Sequence, residues 1–162
     1  MKHNTIILKN YLNVFNEFTS AAVVTPGELL EFTSAGLVQD HSGAGGNVNP
    51  PMFAIEDALQ GKAIWDNYAS GALVRVWIPT RGDEVYGILA DGQHVEIGSA
   101  LESAGTGYLR LHVADPGDST VGSVQRAIIG IALEAKNLSG DSSAVESEGD
   151  LATNQRIKLM IV

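Results

Sequence analysis

Short runs in which apolar and polar residues alternate with a period of two fill the middle and the end of this chain. "ALVRVWIP", "VYGILA", "HVEIGSALES", "YLRLHV", "AIIGIALEA" and "RIKLMIV" each predict a β-strand, because successive side chains of an extended chain point to opposite faces. The alternation assigns an inward face to Val74, Val76 and Ile78, to Ile88, to Val95 and Ile97, and to Leu109 and Leu111. Ile129, Ile131 and Leu133, and then Ile157, Leu159 and Ile161, complete the expected core. In "RIKLMIV" the opposite face holds Arg156, Lys158 and Met160, so this strand is expected to close or edge a sheet. "AIIGIALEA" has a second apolar face in Ile128, Gly130 and Ala132, which predicts a central strand covered on both sides.

Glycine-bearing tetrapeptides separate these runs: "TPGE" at 25–28, "RGDE" at 81–84, "ADGQ" at 90–93 and "AGTG" at 104–107. Each places a residue that tolerates positive φ where a tight turn needs one. Residues 94–113 therefore read as one hairpin. Strand spacing near ten residues suits an all-β domain, a small glycine-rich β-barrel or β-sandwich.

Three stretches fall outside that rhythm. "LVQDHSGAGGNVNPPMF" and "LSGDSSAVESEGDLATNQ" are long loops, the second acidic. At the N-terminus Thr5 to Leu8 is β-like, whereas Tyr11, Leu12, Phe15 and Phe18 are spaced to line one side of a helix. An extended N-terminal arm over residues 1–20, followed by a single β domain over 21–162, is the favoured reading.

Composition narrows the function classes. Ten basic against nineteen acidic side chains give a net charge of −9, which opposes binding to nucleic acid and to anionic membrane surfaces. With no cysteine in 162 residues, neither a disulfide framework nor a thiolate zinc site is available. The chain shows no signal-peptide pattern and no run of the roughly 20 apolar residues of a membrane-spanning helix, so it is expected to be soluble and not exported by the usual route. Lys2 and Lys9 make the first sixteen residues basic ahead of an acidic body.

Candidate chemistry is sparse. "HSGAGG" lacks the Gly-Lys-Ser/Thr ending of a phosphate loop. His94, Glu96 and His112 have the residue types of a zinc site, but a tight "AGTG" turn does not set the two histidines opposite each other. The Arg81-Gly82-Asp83 tripeptide is ordinary turn composition, Asp115 and Asp118 suit a turn better than a calcium loop, and "GDSTVG" departs from the spacing around a hydrolase serine. No metal, cofactor or enzyme is expected from these residues.

Three stretches taken in order carry a resemblance: "DHSGAGGNVNPPMFAIEDALQGKAIWDNYASGALVRVWIPTRGDEVYGILADGQHVEIGSALESAGTGYLRL", then "VGSVQRAIIGIALEA", then "RIKLMIV". From about residue 38 to the end, the chain resembles the small head decoration, or cement, proteins of tailed bacteriophages. The resemblance implies a β-tulip-like fold and a place on the outer capsid surface of the virion, after synthesis in the host bacterial cytoplasm. It further implies a homotrimer and, as partner, the major capsid protein, whose capsomers it would hold together.

The resemblance also implies an arm that adds to the shell's β-structure, here Thr5, Ile6, Ile7, Leu8 and Lys9. Phe53, Trp65 and Trp77 exceed what one small core needs and are expected at the trimer interface. The alternative reading is a carbohydrate- or receptor-binding β-module, with Trp65, Tyr68 and Trp77 as a sugar platform. The acidic segment 139–150 matches no family feature.

Overall fold

The computed structural model describes residues 3–10, 15–46, 48, 50–113, 127–139 and 155–162. Their strands are β1 (Ile7–Lys9), β2 (Phe15–Thr19), β3 (Leu30–Phe32), β4 (Val38–Asp40), β5 (Phe53–Ala54), β6 (Leu73–Trp77), β7 (Glu84–Ile88), β8 (His94–Val95), β9 (Ala100–Ser103), β10 (Leu109–Leu111), β11 (Gly130–Ala132), β12 (Lys136–Asn137) and β13 (Arg156–Ile161). The fold is all-β, and the helical content of the described residues is one 3-10 turn, Ala58–Gln60.

The sheets are open rather than rolled into a barrel. A six-stranded sheet runs β1-β7-β13-β11-β9-β10, a three-stranded one runs β2-β6-β5, and β3–β4 and β8–β12 form pairs. Each of these strand pairs is antiparallel. The three-stranded sheet is a wall between two cores. Phe53 and Trp77, opposite each other in register, point into a large cluster with Leu101, Leu109, Ile157 and Leu159. Their neighbours Ala54 and Val76 point the other way, into a second cluster with Val24, Leu30, Val38 and Val74. Period-two alternation along β5 and β6 thus feeds two cores at once.

Two corrections concern the strands near the C-terminus. β13 does not edge its sheet; it lies between β7 and β11. Ile157, Leu159 and Ile161 are buried as the alternation requires, and Arg156 on the other face is buried as well. β11 is central, as expected, but Gly130 and Ala132 form its tightest face while Ile131 and Leu133 are half-buried. The cause is close approach: a Cβ on Gly130 would stand 2.6 Å from the Met160 carbonyl oxygen and 2.7 Å from Leu159 Cδ1.

The hairpin is β9–β10, with Leu109 opposite Ser103 and Leu111 opposite Leu101. It is shorter than the sequence pattern suggests, because a turn over Glu96–Ser99 cuts β8 from β9. The Ser99 amide donates to the Glu96 carbonyl (3.0 Å), the Glu96 amide donates to Ser99 Oγ (3.0 Å), and Gly98 takes a φ of 90°. Ile97 therefore sits at a turn and is 71% exposed, not in the core. Leu111 is likewise partly exposed, and Ile78 only half-buried.

The N-terminal segment is no detached arm. Ile6 is fully buried in the larger core, with Ile7 and Leu8 packed against it. β1 pairs with β7, Ile7 opposite Val85, and the Tyr86 amide donates to the Ile6 carbonyl (2.8 Å). Glu56 accepts from the Thr5 hydroxyl (2.5 Å) and from the Ile6 amide (3.1 Å). Phe15 and Phe18 lie on β2, extended along β6 rather than helical. The apolar run "IIL" lets these residues complete the chain's own open edge, so the division at residue 20 does not separate arm from body.

Candidate interaction surface

The three aromatics expected at an oligomer interface part company. Phe53 and Trp77 are 0% exposed and belong to the core of the single chain, so neither is available to a partner. Trp65 remains 38% exposed. Tyr68 is buried, and its hydroxyl donates to the Ile55 carbonyl (2.7 Å), which removes it from a sugar platform together with Trp77.

The polar constellations serve the frame. His94 Nε2 meets Glu96 Oε1 at 2.9 Å in solvent, while His112 Nδ1 meets Glu102 Oε2 at 2.7 Å, so the three candidate zinc ligands divide between two sites. Glu102 is fully buried and also accepts from Arg110 Nε (2.8 Å), which ties β10 to β9 through side chains as well as backbone. In the Arg81-Gly82-Asp83 turn the aspartate is buried and accepts from the Thr80 amide (2.7 Å) and hydroxyl (3.0 Å). It closes its own turn. Asp115, Asp118 and the "GDSTVG" stretch lie outside the described residues, as do residues 140–150 of the acidic segment.

"HSGAGG" is a corner brace. His41 Nδ1 lies 2.8 Å from Ser103 Oγ, and the Gly45 amide donates to the Ser103 carbonyl (2.8 Å). Gly105, at a φ of 85°, faces this loop so closely that a Cβ would stand 2.9 Å from the Ala44 amide nitrogen. Ser103 is fully buried, so the His41–Ser103 contact offers no accessible nucleophile.

A different loop presents free polar groups. Residues 55–72, which include the 3-10 turn, join the paired strands β5 and β6, a connection well beyond the roughly 4–6 residues typical between elements. The loop is nevertheless firmly seated. Arg156 Nη2 donates to the Ile64 carbonyl (2.6 Å), Tyr68 exchanges backbone hydrogen bonds with Val24 (2.8 and 3.1 Å), and the Gly71 amide donates to the Ser20 carbonyl (3.0 Å). Asp66 Oδ2 accepts from the Ala63 amide (2.7 Å), which shapes the turn that carries Trp65.

Between this loop and the start of β6 opens a cleft of about 290 Å³, lined by the apolar Ala69, Ala72 and Leu73, by Tyr68, and by the polar Asp57, Gln60, Lys62, Asp66 and Asn67. Asp57 stands at the cap position of the 3-10 turn without making a side-chain cap bond. The side chains of Gln60, Lys62 and Asn67 likewise have no hydrogen-bond or ion-pair partner among the described residues. The sequence reading singled out the aromatics Trp65 and Tyr68 of this loop but not its polar residues. The available signal was the interleaving of polar and aromatic residues in "WDNY" within a long interval between two alternating runs.

Behind the loop lies a buried charged group. Arg156 has its guanidinium carbon 6.0 Å from the Tyr86 ring centroid, and its Nε and Nη1 have no hydrogen-bond partner. Burial lowers its pKa to about 10. Burial, reinforced by the charge of Asp40, pushes Glu28 up to about 8, against the hydrogen bond from the Thr25 amide (2.8 Å). Gly27 has a φ of 98° and lies within 3.2 Å of the Tyr86 carbonyl at its would-be Cβ, so no larger residue fits beside this group.

No family model matches the chain, and no curated protein matches it. Among solved structures the chain is similar to the N base of the head fiber gp8.5 of bacteriophage phi29. The TM-score is 0.54 at 13% identity, over 93% of this chain and 95% of that one. The likeness extends over almost the whole of both chains, and at this identity it is a likeness of fold.

Proposed function

We propose that this chain is a structural protein of a phage virion, bound to the outside of the head, where it cements neighbouring capsomers against internal DNA pressure. The observation that carries this reading is the nearly end-to-end similarity of fold to the base of a phage head fiber, and the ordered run of motifs resembling head decoration proteins points the same way. Strand geometry and motif order both support a phage virion protein. The major capsid protein is the partner, and the role is binding rather than catalysis. His41, His112, Asp83 and Glu102 are engaged in bracing turns and strands.

Trimer formation belongs to the same proposal, because simultaneous weak contacts multiply into tight attachment. With Phe53 and Trp77 in the core, the exposed apolar side chains left for such contacts include Phe15, Phe32, Trp65 and Leu73. Residues 7–9 form the edge strand β1, held to β7 on one side, so attachment through residues 5–9 is to be tested beside attachment through the body.

The experiment mixes the purified full-length chain with heads that lack it. Saturable co-sedimentation at a fixed copy number per shell, together with a higher temperature of DNA release, is the expected result. A chain that stays in the supernatant at every concentration overturns the proposal.

A further inference from the structure

We propose that the cleft beside residues 55–72 is a binding site for a neutral saccharide, one or two rings in size. The inference is independent of where on a particle the protein sits. Its volume of about 290 Å³ lies at the small end of ligand sites, and its lining mixes apolar and hydrogen-bonding groups, as recognition of a sugar ring requires. Ala69, Ala72 and Leu73 offer an apolar surface to the C–H face of a pyranose. Gln60 and Asn67 each carry a carbonyl acceptor beside an amide donor, and Asp57 adds a two-oxygen acceptor, groups that match pairs of adjacent hydroxyls.

Two features favour a ligand over a merely solvated surface. The loop is held by bonds to the core at Ile64, Tyr68 and Gly71, so the backbone that carries its free polar groups is fixed before binding and only their side-chain rotamers need ordering. Those side chains have no partners within the described chain, whereas the polar groups of the buried corner at His41 and Ser103 do.

Charge then selects the class. Two carboxylates, Asp57 and Asp66, against the single ammonium of Lys62 disfavour phosphates and acidic sugars. A metal ion is a poorer fit, since no group of three ligating side chains capable of holding one occurs among the described residues.

The test is saturation-transfer NMR on the intact chain with glucose, galactose, N-acetylglucosamine, their disaccharides and glucuronate. Millimolar binding of at least one neutral sugar is expected at about 20 mM ligand, with backbone shift changes confined to residues 57–73. The double variant Gln60→Ala with Asn67→Ala should weaken that binding at least about tenfold, because two hydrogen bonds are lost. Absence of transfer from every neutral sugar overturns the proposal. So does tighter binding of glucuronate, or binding that the double variant leaves unchanged while its spectrum stays folded.

Discussion

The packed body and the 55–72 loop treat polar side chains in opposite ways. In the body, Glu102 holds Arg110 and His112, Asp83 closes its own turn and His41 meets Ser103. In the loop, Gln60, Lys62 and Asn67 are presented outward from a backbone that is itself well anchored. The two tryptophans repeat the contrast, Trp77 fully buried and Trp65 exposed. A polar residue in this fold is therefore informative only once its partner is known. Engaged groups report on the frame, and exposed free groups on an anchored backbone are candidates for contact with something else.

The strongest test of that contrast is a pair of truncations. Trp77→Ala should cost about 3–5 kcal/mol of stability, as deletion of a buried ring does, and Trp65→Ala no more than about 0.5 kcal/mol. Chemical denaturation of the two variants side by side reads the difference. Equal losses would place Trp65 in the frame.

Next in size is Ile6→Ala. A detached arm predicts no change in the body's stability. Burial of this side chain in the larger core predicts a loss of about 2–4 kcal/mol, read as a lower denaturation midpoint with unchanged slope.

Glu28 sharpens the comparison through pH. Its folded pKa, about 8, stands above its ordinary value of 4.5, so unfolding releases a proton between these values. Its contribution to stability is full below about pH 4.5 and is lost as pH rises through 8. Glu28→Gln keeps an acceptor for the Thr25 amide and removes that loss. The variant should match the wild type near pH 5 and exceed it by on the order of 1–3 kcal/mol at pH 9, measured by denaturant titration at the two pH values. A gap that does not grow with pH would contradict the assignment.

The smallest expected effect belongs to the loop. Gln60→Ala with Asn67→Ala should shift stability by less than about 0.5 kcal/mol, because neither side chain has a partner to lose. A larger shift in thermal denaturation would show that these side chains hold the frame.

Legibility in the sequence followed the same division. Alternation located β6, β7, β10 and β13 and most of their buried residues, because period two is dictated by the strand itself. It failed at Ile97, where the Ser99 hydroxyl caps a turn and resets the phase. It also misjudged Phe53 and Trp77, which looked surplus to one small core because the alternation does not reveal that β5 and β6 divide two. The N-terminal strand was misread as an arm for a related reason. An apolar run that can complete an edge looks the same whether the edge belongs to a partner or to its own chain. The 55–72 cleft was the least legible feature, since free polar groups are defined by bonds they do not make.

The measurement closest to the central claim is a cryo-electron-microscopy map of the phage particle that carries this chain. The account predicts density for the all-β body on the outer face of the head, bridging adjacent capsomers in threefold groups. Density for this fold only on the tail, or a complete head map with none of it outside the shell, would contradict the account.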